Sequence, residues 1–192
     1  MTDSEAASRR ELAASAALSV LAAQGSRGLT HRAVDTEAGL PSGSTSNYFR
    51  TRSSLLEAAL RRHIELDLPP AALVEQIGES KLTRKQAREL ISAALARVFD
   101  PEARPMIAAR YELVLEATRR EELRREYARA RERVLALTEM VLRASGCKTP
   151  TEHAEQMTIL FDGISLDQLL DTERALDHKG VERALDRFLQ SC

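Results

Sequence analysis

The chain has 192 residues, with 28 basic and 29 acidic side chains and a formal net charge of −1 at pH 7. This length suffices for one compact domain or for a small domain joined to a medium-sized one, and the balanced charge argues against a uniformly basic or acidic protein. The sequence contains 29 Ala and 27 Leu against 8 Val and 6 Ile, so helix formers dominate and a β-rich fold is strongly disfavoured.

The N-terminal part predicts a polar leader followed by an amphipathic helix. Residues 1–8 are mostly polar and are expected to be a disordered leader. In the next 16 residues, 9–24, apolar side chains recur at helical spacing and form one stripe, made of Ala13, Ala16, Ala17, Val20 and Leu21. Gly25 follows, as glycine does at many helix C-termini, and predicts the end of this helix.

Two short helices joined by a tight turn are predicted next. Thr30 is the predicted N-cap of the first, Gly39 provides the turn, and the second ends at Phe49. This is helix-turn-helix spacing. Residues 42–47 of the second helix are small and polar, with poor helix propensity. In a major groove such side chains can approach base edges and phosphates; the alternative is an ordinary Ser/Thr-rich loop.

Two adjacent aromatic residues close this segment, in a chain with three Tyr, four Phe and no Trp. We expect Phe49 to anchor the core of a three-helix domain. Tyr48 is expected to lay its ring along a DNA duplex and to donate its hydroxyl to a phosphate. The alternative for both residues is a position in the core.

Positive charge is concentrated around the same segment. Residues 27–62 contain six arginines against three carboxylates, whereas residues 66–192 contain 20 basic and 22 acidic side chains. A local positive potential suits phosphate binding. Arg52 begins the next predicted helix, where the helix dipole disfavours a cation but favours a nearby phosphate; an exposed, solvated arginine is the alternative.

Longer helical patterns fill the remainder of the chain. After the helix capped by Thr51, breakers such as Gly146 and Pro150 separate further helices, predicted near 71–78, 83–99, 102–119, 121–145, 150–172 and 178–190. The change from short to long helices near residues 50–70 predicts a domain boundary. We place a helix-turn-helix domain at 9–52 and a second domain, the candidate for effector binding and dimerisation, at 53–192.

A ligand pocket is expected in the second domain. Methionines and aromatic residues on neighbouring helices form surfaces that suit an apolar or amphipathic small molecule. The candidates are Phe99, Met106, Arg110, Tyr111, Val114, Met157 and Phe161. Arg110 and Tyr111 are the polar groups that would orient such a ligand, and simple core packing is the alternative.

The last two predicted helices are expected to form a dimer interface. The helix at 150–172 carries more apolar surface than one internal face requires, and a glycine in its middle costs about 1 kcal/mol unless it permits close helix approach. The candidates are Leu160, Gly163, Ile164, Leu169, Val181, Leu185 and Phe188. The alternative is that both faces are buried within one monomer.

Catalytic and metal-binding patterns are not found. Glu112 and Glu116 are four residues apart on one helix, but no His or Cys stands at ligand spacing with them. Phosphate-loop, nucleophile-elbow and dinucleotide patterns are missing, so we expect no catalysis, no metal and no cofactor. Two cysteines, Cys147 and Cys192, without metal-ligand spacing favour a reducing compartment. Because no run approaches 18 apolar residues, a cytoplasmic protein without a membrane partner is expected.

The segment from Arg9 to about His63 resembles the DNA-binding domain of the TetR family of bacterial transcriptional repressors. It shares the T-x-x-x-V pattern from Thr30, the AGL turn, the GST motif from Gly43, the Tyr-Phe pair and the basic residue and Leu-Leu of the next helix. The resemblance implies an all-α dimer, in which an N-terminal three-helix helix-turn-helix domain binds DNA and a C-terminal helical bundle binds a ligand and dimerises. The sequence departs from the family pattern at Ser46, usually Tyr, and at Asp35, usually a small residue.

By matched position, the resemblance places the recognition helix at 42–48 and puts Arg52 where the family has a phosphate-contacting lysine. The full set of expected DNA-binding residues is Thr30, His31, Arg32, Ser42, Gly43, Ser44, Thr45, Asn47, Tyr48 and Arg52. The resemblance therefore implies a repressor that binds a palindromic operator on double-stranded DNA as a homodimer and is released by a small-molecule inducer. The alternative is a helical small-molecule-binding or enzymatic protein whose helix-turn-helix is structural only.

Overall fold

The computed structural model describes residues 3–170 and 176–191, and all regular structure in these two ranges is helical. A short 3-10 turn, Arg97–Phe99, links two of the helices. The α-helices are α1 Asp3–Gly28, α2 His31–Glu37, α3 Ser44–Tyr48, α4 Arg52–Asp67, α5 Ala71–Glu79, α6 Arg84–Ala96, α7 Arg104–Ala117, α8 Glu121–Ala144, α9 Pro150–Leu170 and α10 His178–Gln190. The all-α prediction is thus confirmed, as the abundance of Ala and Leu leads one to expect.

Helix α1 differs from the sequence expectation at its start. It begins at Asp3, so residues 3–8, expected to be a leader, are helical. Near its other end the backbone leaves the helical conformation at Gly25, with φ 67°. A left-handed φ of this kind is cheap for glycine and costly for other residues, which is why Gly25 marks the end of the regular part of α1 as predicted.

The chain packs as two units. The first comprises residues through Asp67 together with Pro105–Ala130, and the second comprises Leu68–Arg104 together with residues from Arg131 onward. This division differs from the predicted domain boundary after residue 52. Helix α4 packs against α1, and a domain ending at residue 52 would lack this part of the core around α1.

The core of the first unit forms where α1, α2, α3 and α4 meet. Phe49, at the end of α3, is 4% exposed, and Val34 of α2 is fully buried. Phe49 is therefore the core anchor that its position predicted. The other apolar side chains of these helices that are at most 1% exposed are Ala13, Ala17, Leu18, Val20, Leu21, Leu55, Leu56, Ala59 and Leu60.

The core of the second unit is formed by α6, α9 and α10. Its buried residues are Leu95, Val98, Met157, Ile164, Val181 and Leu185. Arg88 of α6 adds a polar clamp to α10, since its guanidinium donates to Glu182 Oε2 at 2.6 Å and also to Asp186. Hydrogen bonding to Arg88 lowers the pKa of both carboxyl groups, so the clamp is an ion pair at neutral pH.

Candidate functional site

The turn between α2 and α3 is built as the sequence predicted. Thr30 is the N-cap of α2, and its Oγ1 accepts from the Ala33 amide at 3.1 Å. Gly39 has φ 61°, and the amide of Leu40 donates to the Asp35 carbonyl at 2.9 Å. A left-handed residue at this point lets the chain reverse within a few residues, which brings α3 against α2.

The carboxylate of Asp35 holds the start of α3. It accepts from the Gly43 amide at 2.7 Å, the Thr45 amide at 2.8 Å and the Thr45 hydroxyl at 2.6 Å. Asp35 is 4% exposed, so water does not compete for these bonds. Helix α3 has five residues of poor helix propensity, and it is therefore stabilised by a side chain of α2 acting as its N-terminal cap.

The environment of Asp35 favours its charged form. Burial opposes ionisation, but the hydrogen bonds from the Thr45 side chain and from the Thr45 and Gly43 amides outweigh it, so the pKa of Asp35 lies below its usual range. A small residue at this position, as is common in the family pattern, could not form these bonds. Asp35, one of the two departures from the family pattern, is therefore the cap of α3. Its position eight residues before Gly43 is a signal from which this role could have been predicted.

Acid is expected to weaken this cap. The pKa of Asp35 is lower in the folded state than in the unfolded state, where it is about 4. The ionised carboxylate therefore contributes its full stabilisation of the fold above about pH 4, and this contribution is lost as the pH falls through the folded-state pKa. Urea unfolding of wild type and Asp35→Asn between pH 7 and pH 3 measures this. The stability difference between the two proteins is expected to narrow towards pH 3, and a difference that stays constant would contradict the role of the ionised carboxylate.

The structure corrects the expected role of Thr45. Its side chain is fully buried, and its hydroxyl donates to Asp35, so it cannot reach a base edge. The exposed residues within 42–48 are instead Ser42, Gly43, Ser46 and Asn47. Ser46, which the expected DNA-binding set does not include, belongs to this exposed face.

Three other expected DNA-binding residues are partly covered. Ser44 and Tyr48 are half-buried. Half-burial of Tyr48 agrees both with contact to DNA and with a position in the core, the two interpretations given for it from the sequence. His31 is also half-buried, and its Nε2 lies 2.5 Å from the Phe49 carbonyl oxygen. His31 therefore ties α2 to the end of α3, and Thr30 and Arg32 are the exposed members of the set on this side.

Arg52 does not have the solvent-facing position expected of a phosphate contact. It is half-buried, and its guanidinium donates to the carbonyls of Ser26 and Leu29 and, at 2.8 Å, to Ser26 Oγ. The last carbonyls of a helix have no partner within that helix and attract cations. Arg52 therefore fastens α4 to the end of α1, which corrects its assignment to DNA.

Exposed arginines nevertheless lie within and next to the α2–α3 segment of the chain. Arg32 of α2, Arg50 after α3 and Arg27 near the end of α1 are all exposed. Flexible guanidinium groups beside a surface of small polar side chains are the arrangement that phosphate contacts require. Arg27 and Arg50 were part of the positive segment in the sequence but were not singled out there.

The seven expected effector residues do not lie in one packing unit. Phe99, Met157 and Phe161 come together in the core cluster of the second unit. The other four are half-buried on α7 of the first unit: Met106, Arg110, Tyr111 and Val114. On α7 the Arg110 guanidinium lies over the Tyr111 ring, 5.8 Å from its centroid.

The described cavity beside Phe99 does not have the size of an effector pocket. It is lined by residues including Ser92, Phe99 and His178 and has a volume of about 10 Å³. Such a space holds about one water molecule. Core packing, the alternative given for these residues, therefore accounts for Phe99 and Met157 in this conformation.

The structure also changes the expected dimer surface. Ile164, Val181 and Leu185 are 7%, 2% and 1% exposed and belong to the core of the second unit, which corrects their assignment to an interface. Leu160 and Phe188 are half-buried against the same core cluster, and Leu169 is half-buried as well.

Another face of α9 is apolar and exposed. Ile159 and Leu170 are each 64% exposed and Leu166 is 43% exposed. Gly163 lies between them, where an added Cβ would meet no described atom of another element within 4 Å. The four residues, which we call the α9 stripe, are spaced by four, three and four positions and so share one helix face. Large exposed side chains on one helix face are typical of an interaction surface.

Two further properties concern the described residues alone. Within the two described ranges, no helix is both long enough and apolar enough to span a membrane. Among the same residues, no group of three or more His, Cys, Asp or Glu side chains is arranged to hold a metal ion.

The chain is similar to proteins of known family and structure. Residues 82–191 match a family model described as tetracyclin repressor-like, C-terminal domain. A TetR family member from Streptomyces coelicolor A3 is 32% identical, with a TM-score of 0.69 over 94% of this chain and 97% of that one. The multidrug binding protein EbrR, complexed with ethidium, is 31% identical, with a TM-score of 0.69 over 94% and 97%.

A more distant structure shows the same fold. A transcriptional regulator from a Rhodococcus species, Rha1, is 20% identical and has a TM-score of 0.77 over 94% of each chain. No curated protein matches the chain in sequence.

Proposed function

Because the chain belongs to the TetR family of transcriptional regulators, we propose that it is a repressor that binds a palindromic operator as a homodimer and is released by a small-molecule inducer. The observation that carries the proposal is the exposed polar face of α3, which includes Asn47, together with exposed arginines in the neighbouring segments of the chain. The role requires no catalytic residue, and we assign none.

The dimer would present two copies of α3 to one face of the DNA. Two recognition helices placed about 34 to 36 Å apart reach successive major grooves, so the operator half-sites are expected one helical turn apart. We assign the contact between the two copies to the α9 stripe. Its apolar side chains would be removed from water by the same face of a second copy, as a two-fold interface requires.

A polar network within the first unit supports coupling between an effector and the DNA-binding helices. Glu116 of α7 is 9% exposed, accepts from the Ser26 hydroxyl and pairs with Arg120. Ser26 in turn accepts from Arg52 at the start of α4. Helix α7 is thus hydrogen-bonded to the end of α1, and through Ser26 to α4.

Four of the expected effector residues lie on this same helix. A ligand shifts a conformational equilibrium through its differential affinity for the two states. A molecule that contacts Arg110 and Tyr111 and binds better to one position of α7 would therefore favour one of two positions of the recognition helices. EbrR, a relative at 31% identity, is a multidrug binding protein that was crystallised with ethidium. We therefore propose an apolar or amphipathic effector.

Binding to the DNA beside the gene tests the proposed function. A labelled duplex from this region is titrated with the full chain by fluorescence anisotropy, next to a scrambled duplex of equal composition. We expect a Kd of about 10⁻⁸ M or tighter for the first duplex and binding at least about 10³ weaker for the second. Equal affinities would instead favour the alternative function, a helical ligand-binding protein with a structural helix-turn-helix.

Two variants separate base reading from phosphate binding. Asn47→Ala is expected to weaken the free energy of operator binding by about 1–3 kcal/mol, because a base contact is lost. It should leave binding to the scrambled duplex unchanged. Arg50→Ala is expected to weaken both duplexes alike and to reduce the slope of log affinity against log salt by about 1. Both residues are exposed, so thermal unfolding serves as the control and should not change. Identical effects of the two variants on the two duplexes would contradict these roles.

A further inference from the structure

A basic residue near the start of α1 lies within the same packing unit as the helix-turn-helix. Helix α1 begins at Asp3, so Arg10 belongs to a regular helix and does not follow a loose leader. Arg10 is exposed, and its guanidinium forms no ion pair or hydrogen bond with any residue that the structure describes. Its charge and its five N–H donors are therefore available to a ligand.

The side chain of Arg10 extends to the end of the recognition helix. The central carbon of its guanidinium lies over the ring of Phe49, 5.6 Å from the ring centroid. Phe49 is the C-cap of α3 and is 4% exposed. Because a cation above an aromatic face is attracted by the ring quadrupole, Arg10 is held beside the last turn of α3.

Phe49 is a fixed platform for this contact. Its amide donates to the Thr45 carbonyl at 2.9 Å, and its carbonyl oxygen lies 2.5 Å from His31 Nε2. The next residue in the chain, Arg50, is exposed. The end of α3 therefore carries two exposed guanidinium groups, one from α1 and one from the segment before α4.

The end of a recognition helix is a place where DNA phosphates are expected. In a helix-turn-helix protein the recognition helix occupies the major groove, and the elements beside it cross the DNA backbone. A guanidinium offers a planar fork of donors that matches two phosphate oxygens. The adjacent carboxylate, Glu11, is turned by about 100° around the axis of α1, so it does not share the direction of Arg10.

We propose that Arg10 is a DNA-backbone contact, a phosphate-binding residue of α1 that the ring of Phe49 positions at the end of α3. The inference deepens the proposed function and rests on it. Helix α1 is then a third DNA-contacting element beside α2 and α3. A phosphate contact releases condensed counterions and carries no sequence information, so Arg10 contributes to affinity for every duplex and not to the choice between duplexes.

The salt dependence of DNA binding tests the proposal. Full-length Arg10→Ala is titrated against the operator duplex and the scrambled duplex by fluorescence anisotropy at several salt concentrations. We expect both duplexes to bind roughly fivefold more weakly near 0.15 M salt and the slope of log affinity against log salt to fall by about 1. Weaker binding with an unchanged slope would mean that Arg10 only supports the fold, and it would overturn the proposal.

Two control variants separate charge from position. Arg10→Lys keeps the charge and should keep the slope, with some loss of affinity because an ammonium lacks the planar fork. Lys85→Ala removes a positive charge from an exposed position on α6 of the second unit, and it should leave the slope unchanged. A smaller slope in Lys85→Ala would show that net charge alone sets the salt dependence, and it would overturn the assignment to Arg10.

The platform is tested by combining substitutions. Phe49→Leu keeps an apolar side chain but removes the ring, so Arg10→Ala should weaken binding by less than about twofold in this background. An undiminished effect of Arg10→Ala there would refute positioning by Phe49. If Phe49→Leu fails to fold, the double variant Arg10→Ala/Arg50→Ala decides: a slope lowered by about 2 supports two separate phosphate contacts, and a slope lowered by only 1 contradicts them.

Failure of this proposal can be distinguished from failure of the proposed function. If wild type binds both duplexes equally, the repressor function fails, and the slopes still report whether Arg10 meets phosphate. If wild type selects the operator while Arg10→Ala keeps the wild-type slope on both duplexes, the role of Arg10 is refuted and the proposed function stands.

Discussion

Replacing Asp35 with alanine is expected to lower the free energy of unfolding by about 3 kcal/mol, because it leaves the Gly43 amide, the Thr45 amide and the Thr45 hydroxyl without their acceptor. These groups lie around a side chain that is 4% exposed, so water replaces the lost bonds poorly. Since α3 has no other side-chain cap, its position against α2 should loosen as well. Operator binding is expected to fall by about 100-fold or more, which equals the loss of at least one strong base contact.

Urea unfolding and fluorescence anisotropy measure the two effects. Asp35→Asn keeps one acceptor oxygen and should lose roughly half as much stability. Glu37→Ala is the matched control, since it removes a carboxylate from the same helix at an exposed position, where substitutions usually change stability by less than about 0.5 kcal/mol. If Asp35→Ala retained wild-type operator affinity, the cap would not position the recognition helix.

Replacing Ile159 with glutamate is expected to convert the dimer to a monomer. Ile159 is 64% exposed within one chain, so the charge costs little in the monomer. In the proposed dimer it would be buried against an apolar face without a partner, and we expect the dimer Kd to rise by at least about 100-fold. Sedimentation velocity over a range of concentrations measures this change.

Two further variants make the interpretation specific. Ile164→Glu places the same charge in the core, where Ile164 is 7% exposed, and should unfold the second unit instead of yielding a folded monomer. Leu73→Glu adds a charge to an exposed leucine of α5, 38% exposed and outside the α9 stripe, and should leave the dimer intact. A dimer that persists in Ile159→Glu would refute the α9 stripe as the interface.

Local features of the fold were predictable from the sequence. Thr30 as an N-cap and Gly39 as a left-handed turn depend on residues close in the chain, and helix caps are local interactions. Phe49 could be placed in the core because a large apolar side chain in a polar stretch has few other stable positions. The family resemblance rested on these same local features, and the comparisons confirm it.

Roles that depend on distant residues were not predictable. Arg52 was expected to contact phosphate, but it meets the end of α1 more than 20 positions earlier in the chain. Thr45 was expected at a base edge because it belongs to the run of small polar residues at 42–47, yet it faces Asp35 of the preceding helix. A polar side chain of a given type can either contact DNA or form hydrogen bonds within the fold. Its role depends on which groups the tertiary structure brings near it.

The sequence by itself determined that this protein is helical, that a helix-turn-helix lies near its N-terminus and that α9 carries more apolar surface than one face can bury. Tertiary structure alone decided that Ile164 enters the core while Ile159 and Leu170 remain exposed, and that Asp35 caps α3. The physical reason is that helical periodicity shows which residues share a face, whereas the partner that covers a face is chosen by packing between elements far apart in the chain.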